Sequence, residues 1–211
     1  ETGTKGNKVP QIVKPLHDKY WTRSTLIEWV YEEIKLQRNL IGFDFAFSYP
    51  FYDRSCYFPG IKDSPINSEK LWKLIEDTNT NAKNFYGGEI WTSKTYGKFF
   101  NSPKLKGSHF ASRRRCTERF AKKKILSPSP TFNCVGPGAV GTGTLAGMRI
   151  LNLLKNKTKI WPFDELNFST KTVIVEIFPS YYFRLSKIKP EKKVGYTCLL
   201  YTSDAADDVE C

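Results

Sequence analysis

The sequence predicts an α/β fold, with helices packed on a sheet, in a chain of 211 residues. An amphipathic helix is followed at once by the apolar run LIGFDFAFS at 40–48, a second β-branched strand spans 173–178, and a helix at 140–155 follows a glycine-rich loop. Near-continuous apolar strands are typical of sheets covered on both faces. The length suits one domain with a sizeable core.

The first elements are a short strand at 8–14, which Pro10 interrupts early, and a helix after a polar link. Thr25 and Glu28 fit the capping box, in which a hydroxyl and a carboxylate satisfy free amides at a helix start. Apolar residues then recur at helical spacing through about Arg38. We therefore expect this helix to pack on the sheet.

Residues 51–130 differ in composition from the rest of the chain, because they are rich in Pro, Asn, Lys, Ser and aromatic residues. We interpret them as a large insertion beside the central sheet, within a single domain at 1–197. The predicted elements that remain are helices at 68–77 and 112–124, strands at 131–135 and 159–163, and a final helix that begins near Ser180.

Both ends of the sequence suggest a truncated gene product. The only methionine is Met148, so residue 1 is not expected to be a natural start. The segment CLLYTSDAADD within 198–211 resembles the translated read-through of a sequencing adapter, and we expect this tail to be non-native. It contains four acidic residues and no basic ones, so residues 1–197 carry a net charge of +16, where the whole chain carries +12.

Composition argues against membrane and disulfide-rich proteins. The longest apolar run, at 40–52, is shorter than the roughly 20 residues that a bilayer requires. Cys56, Cys116 and Cys134 lie far apart and form no C-x-x-C pair, which argues against structural zinc and favours a reducing compartment. We therefore expect a cytoplasmic protein with no membrane partner.

The glycine-rich loop holds Gly136, Gly138 and Gly141 in the G-x-G-x-x-G spacing of dinucleotide-binding helices. Pro137 removes one backbone donor that would face a pyrophosphate, and Pro162 makes the following strand a poor second strand of such a fold. Two other interpretations stay open. The glycines allow a tight loop to pack, or the helix start binds phosphate of any kind.

Two acids interrupt apolar strands, where an unpaired carboxylate would be costly. Asp44 lies in the middle of the first strand and Glu176 in the middle of the β-branched strand, which suggests that they meet. Such a pair fits Mg²⁺ or Mn²⁺ and the chemistry of phosphodiester cleavage. Asp164 is a third candidate ligand or the start of a turn. The alternative is that each acid pairs with an arginine.

A basic stretch, RRRCTERFAKKK at 113–124, contains seven Lys or Arg residues and one acid. Arg113, Arg114 and Arg115 are candidates to hold the phosphate backbone of a nucleic acid. The alternative is that the stretch forms an ordinary solvated face.

With these segments in place, the chain resembles a bacterial family of predicted RNase H-like nucleases whose activity is inferred from fold. The segments that carry this resemblance are IGFDFAFSYPF (41–51), RRRCTER (113–119), VGPGAVGTGTLAGM (135–148), IWPFD (160–164) and VEIFPSYYF (175–183).

The resemblance implies a mixed sheet flanked by helices, with Asp44 and Glu176 as acids of core strands. The first-strand and late-helix acids of such sites are not visible here, which implies a partial site. A metal-dependent nuclease or phosphodiesterase is therefore the leading expectation. The alternatives are a non-catalytic nucleic-acid or nucleotide binder and a dinucleotide-binding enzyme, and the partner is expected to be nucleic acid or a phosphorylated small molecule.

Overall fold

The computed structural model describes residues 12–15, 19–36 and 38–185. Within these ranges it contains five α-helices and one three-stranded sheet, which confirms the predicted α/β class. Three short 3₁₀ helices lie between the second and third α-helices. The elements are α1 (Arg23–Leu36), β1 (Asn39–Phe43), α2 (Ser68–Thr78), α3 (Cys116–Lys124), α4 (Gly141–Leu154), β2 (Lys159–Trp161), β3 (Thr172–Glu176) and α5 (Pro179–Leu185).

The sheet has the order β1-β3-β2, and both strand pairs are parallel. The antiparallel pairing that the predicted mixed sheet needs does not occur among the strands of the described ranges. In the register, Phe43 pairs with Glu176 and Trp161 pairs with Val175. Because the strands are parallel, their carboxyl ends all lie at one edge of the sheet, where ligands bind in open α/β sheets.

The first strand is shorter than the predicted run at 40–48. Its last ladder hydrogen bond joins the Ile177 amide to the Phe43 carbonyl, and the chain then leaves the sheet. The Phe47 amide binds the Glu176 carboxylate instead, and the Phe47 side chain is fully buried. The prediction that Asp44 lies in mid-strand is therefore wrong, because its strand ends one residue earlier.

Only one face of the described sheet is well covered. Ile160 and Ile174 are completely buried on that face, whereas Leu40 on β1 is 75% exposed. The expectation that the first strand is buried on both faces is therefore wrong within the described residues. Helices α2 and α4 pack against each other, and the largest buried side chains that they contribute to the core are Leu71, Trp72, Ile75, Leu145, Met148 and Leu151.

Local boundaries differ from the predictions in several places; α3, for example, begins at Cys116 and not at residue 112. Helix α1 is capped by a reciprocal pair, in which each of the Thr22 and Thr25 hydroxyls accepts the other residue's amide, and not by Thr25 with Glu28. The predicted strand at 131–135 forms only an isolated bridge between Asn133 and Asn101. Of the strand predicted at 8–14, residues 12–14 have no regular structure and the others lie outside the described ranges.

The segment at 51–130 shares its core with the rest of the domain. Its buried aromatic residues, including Phe58 and Phe100, belong to the same cluster as Ile27 of α1 and Ile174 of β3. The predicted non-native tail at 198–211 lies outside the described residues. No helix within the described ranges is both long and apolar enough to span a bilayer.

Candidate functional site

The carboxyl edge of the sheet brings together the two acids that the sequence singles out. Glu176 is the last residue of β3, and Asp44 directly follows β1, the neighbouring strand. Loss of hydration raises the pKa of Asp44, and the charge of Glu176 raises it further. The two acids therefore lie at the ends of neighbouring strands and not in strand centres, and their joint role in a site stays a prediction.

Glu176 is held by a bidentate ion pair with Arg115. The Arg115 Nη1 and Nη2 atoms donate to Oε2 and Oε1 of Glu176, each at 2.6 Å. The Phe47 amide also donates to Oε2, at 3.0 Å. Both carboxylate oxygens of Glu176 therefore have partners, as the alternative of an acid paired with an arginine requires.

A second carboxylate, that of the buried Glu118, completes this cluster. Glu118 accepts a 2.7 Å hydrogen bond from Nε of Arg115 and a 2.9 Å bond from the Arg115 backbone amide, and its side chain is 6% exposed. The backbone contact caps α3 as the acid of a capping box does. Burial lowers the pKa of Arg115, but hydrogen bonds and charges from Glu176 and Glu118 more than offset this and raise it.

Asp44 differs from Glu176 because no described residue neutralises it. It is exposed, and no hydrogen bond or ion pair joins its carboxylate to any described residue. Loss of hydration raises the pKa of Asp44, and the nearby charge of Glu176 raises it further. The charged form of Asp44 is therefore disfavoured, and a cation at this edge would relieve that penalty.

Asp44→Asn is expected to stabilise the fold slightly at neutral pH, by less than about 1 kcal/mol because solvent screens an exposed charge. The folded-state pKa of Asp44 lies above its unfolded-state value, so the wild type gains stability as pH falls through that pKa and loses it as pH rises. The advantage of the variant should therefore shrink on acidification. Urea denaturation at several pH values measures this, and an advantage that grows on acidification would contradict it.

Asp164 has a local structural role. Its Oδ2 accepts a 2.7 Å hydrogen bond from the Ile160 amide, and its own amide donates to the Ile160 carbonyl at 2.9 Å. These bonds close the turn that follows β2, as one of the two sequence interpretations expects. One of its oxygens is thus already engaged.

Conformation and packing account for the glycines of the loop. Gly136 and Gly138 have φ values of 85° and 70°, which L side chains rarely adopt. A Cβ on Gly141 would lie 2.5 Å from Cys134 Sγ and 2.6 Å from the Asn133 carbonyl oxygen. The Gly141 amide also donates to that carbonyl, so this first amide of α4 is not available to a phosphate. These observations favour the packing interpretation.

Gly141→Ala is expected to destabilise the protein by about 1–3 kcal/mol, because the clash involves backbone that cannot move freely. Gly136→Ala meets no neighbour within 4 Å and incurs only the cost of its positive φ. Thermal unfolding of the two variants measures both effects. If Gly141→Ala unfolds like the wild type yet loses affinity for phosphate, the packing role is wrong.

The three arginines expected to bind phosphate make internal contacts. Arg113 pairs with Asp53 through two hydrogen bonds and donates to three backbone carbonyls between residues 50 and 57, so it fastens that loop. Arg114 donates to the Pro128 carbonyl at 3.2 Å. Arg115 holds Glu118 and Glu176, as described above. In this structure, therefore, Arg113 and Arg115 have few donors left for a phosphate.

Sequence reasoning missed the pairing of Arg115 with Glu118 and Glu176. One local signal was present, since Glu118 follows Arg115 at the three-residue spacing of a capping box. The contact to Glu176 spans 61 residues of sequence, and no short-range pattern reports it.

Among the described residues, no group of three or more His, Cys, Asp or Glu side chains is arranged to hold a metal ion. Comparisons of the chain with family models, curated proteins and solved structures gave no match. The case for any function therefore depends on the carboxyl edge itself.

Proposed function

We propose that this protein is a metal-dependent phosphodiesterase that acts on nucleic acid, with its acids at the carboxyl edge of an RNase H-like sheet. One observation carries the proposal. Asp44 directly follows β1 and Glu176 ends β3, the adjacent parallel strand. The charge of Glu176 acts on Asp44, and no cation among the described residues pairs with Asp44.

The charge balance of this edge supports a bound cation. Asp44, Glu118 and Glu176 supply three carboxylates, and among the described residues the Arg115 guanidinium pairs with Glu118 and Glu176 but not with Asp44. This local excess of negative charge occurs in a chain whose net charge is +12. A divalent ion would neutralise the excess and lower the cost of ionised Asp44.

The donor set fits Mg²⁺ better than ions that need a complete protein cage. Mg²⁺ is usually held by one or two carboxylates, with water and substrate phosphate oxygens as its other ligands. Asp44 and Glu176 would hold the ion, while Asp164 remains the weakest candidate because it closes its own turn. When bound, such an ion stabilises charge on a phosphate and lowers the pKa of water.

Arg115 would then exchange partners. A cation that takes an oxygen of Glu176 competes with the guanidinium, and the freed Nη1 and Nη2 atoms can donate to a phosphate in the same fork geometry. Arg115 keeps its Nε bond to Glu118, so its position at the edge is preserved. In this proposal Arg115 orients the substrate.

A second candidate is a nucleic-acid binder without catalytic activity. The observation that favours it is the bidentate pair between Arg115 and Glu176, which leaves Asp44 as the one carboxylate of the edge that pairs with no described residue. Excess positive charge on the chain suits either candidate.

The test is a cleavage assay with the full chain and end-labelled single-stranded DNA, duplex DNA and RNA, in MgCl₂, in MnCl₂ and in EDTA. The proposal expects cleavage of at least one substrate with either metal and none in EDTA. Salt-dependent binding with no cleavage under any condition would overturn it and favour the second candidate.

A further inference from the structure

Helix α3 presents an exposed basic surface that differs from the arginines singled out above. We call this surface the α3 basic face. Its side chains are exposed, and that of Phe120 is 55% exposed. The α3 basic face consists of Arg119, Phe120, Lys122, Lys123 and Lys124.

Helical geometry separates this face from the acid of the same helix. Glu118 and Ala121 are buried and point to the core, so the exposed side of α3 carries cations and no carboxylate. Three lysines in the last turn interact favourably with the helix dipole. Arg119 lies before the last turn, so the helix dipole does not offset its charge. It is four residues before Lys123, a spacing at which like charges on a helix repel each other. An anionic partner would relieve this repulsion.

An aromatic ring lies among these cations. The Lys124 Nζ atom lies 5.8 Å from the centroid of the Phe120 ring. A cationic groove with exposed aromatic rings is how proteins bind single-stranded nucleic acid, because phosphates bind the cations and unpaired bases stack on the rings. An acidic protein offers no base to stack, and a duplex keeps its bases paired.

The face is connected to the carboxyl edge through Arg115. This residue precedes α3 and binds Glu176 at the end of β3, so α3 starts at the candidate site. The helix has nine residues and is therefore about 13 Å long. A strand bound along α3 would thus have neighbouring phosphates close to Asp44 and Glu176.

We propose that the α3 basic face binds a single strand of nucleic acid, with its cations on phosphates and Phe120 stacked on a base. The choice of nucleic acid rests on the proposed function. The binding itself requires no metal and no cleavage, so the two proposals can fail separately.

The first test is fluorescence anisotropy of a labelled oligothymidine with the full chain in EDTA. The variant Arg119→Gln/Lys123→Gln/Lys124→Gln is expected to bind at least about 10-fold more weakly. The slope of log K against log salt concentration should become smaller in magnitude by about 0.7 for each lost phosphate contact. The matched control, Lys62→Gln/Lys70→Gln/Lys94→Gln, removes the same charge from exposed lysines elsewhere. Equal losses in both variants would overturn the proposal.

The second test separates bases from other anions. Phe120→Ala is expected to weaken oligothymidine binding about five-fold or more, and to leave binding of polyaspartate and of phosphatidylserine vesicles unchanged. Tyr52→Ala, at a residue that is 84% exposed, is the control. If Phe120→Ala leaves oligothymidine binding unchanged, or weakens all three ligands equally, the face is not a nucleic-acid site. Cleavage in Mg²⁺ reports on the carboxyl edge separately.

Discussion

Arg115→Ala is expected to destabilise the protein by about 3–5 kcal/mol, the typical cost of removing one partner from a buried ion pair. The Arg115 side chain is 17% exposed and binds two carboxylates, of which that of Glu118 is 6% exposed. Without the guanidinium, these charges repel each other in a poorly hydrated site. Urea denaturation at neutral pH measures the loss.

Arg114→Ala is the matched control for this prediction. Arg114 makes one 3.2 Å bond to a backbone carbonyl and a weaker one at 3.4 Å, so its removal should cost less than about 1 kcal/mol.

Adding Glu176→Gln to Arg115→Ala should recover part of the loss in stability, because one unpaired charge disappears. Arg115→Ala as mild as Arg114→Ala would contradict the role assigned to this cluster.

Arg115→Ala also links stability to the proposed metal. The variant removes the guanidinium from both oxygens of Glu176, of which Oε2 keeps only the Phe47 amide as its partner. Mg²⁺ should therefore raise its free energy of unfolding more than that of the wild type, as any ligand of the folded state does. If Mg²⁺ stabilises neither protein, the carboxyl edge does not bind the ion.

Asp44→Asn is expected to reduce Mg²⁺-dependent cleavage by at least about 100-fold, because loss of a direct ligand should cost at least as much as loss of an outer-shell partner, which costs up to about 100-fold. Asp44 is the one carboxylate of the edge that no described cation pairs with, and an amide binds hard cations less well than a carboxylate. The fold should persist, because the residue is exposed and makes no described hydrogen bond. Initial cleavage rates at saturating Mg²⁺ measure the effect.

Glu28→Gln is the control for Asp44→Asn. Glu28 is an exposed carboxylate on α1, outside the candidate site. The Asp44 variant should also keep its affinity for oligothymidine in EDTA, which separates loss of metal binding from loss of substrate binding. Equal cleavage rates for wild type and Asp44→Asn would show that Asp44 is not a ligand.

Helices were easier to predict than strands, and α2 and β1 show why. The helix predicted at 68–77 is observed as Ser68–Thr78, because its apolar spacing and the Asn67 cap both act within a few residues. The apolar run at 40–48 continues past the end of β1, because Phe47 is buried in a loop. Burial in a strand and burial in a loop leave the same apolar pattern.

At the candidate site, too, the sequence identified some features and the fold decided the others. Asp44 and Glu176 stand out in sequence because each is an acid within an apolar run. That Glu176 pairs with Arg115, while no residue in the described part of the chain pairs with Asp44, depends on the fold, since Arg115 and Glu176 are 61 residues apart. The basic stretch was recognised as a whole, but which of its cations are exposed depends on the packing of α3.

The sequence by itself determined the α/β class, the positions of α2 and α4, the excess of positive charge and the two acids of interest. These properties follow from local spacing and composition, which act over a few residues. Only the tertiary structure decided that the described strands are parallel, that their carboxyl ends share an edge, and that Arg115 neutralises Glu176. Those properties depend on strand register and on contacts between distant segments, whose energies are set by burial and hydrogen bonding in the folded chain.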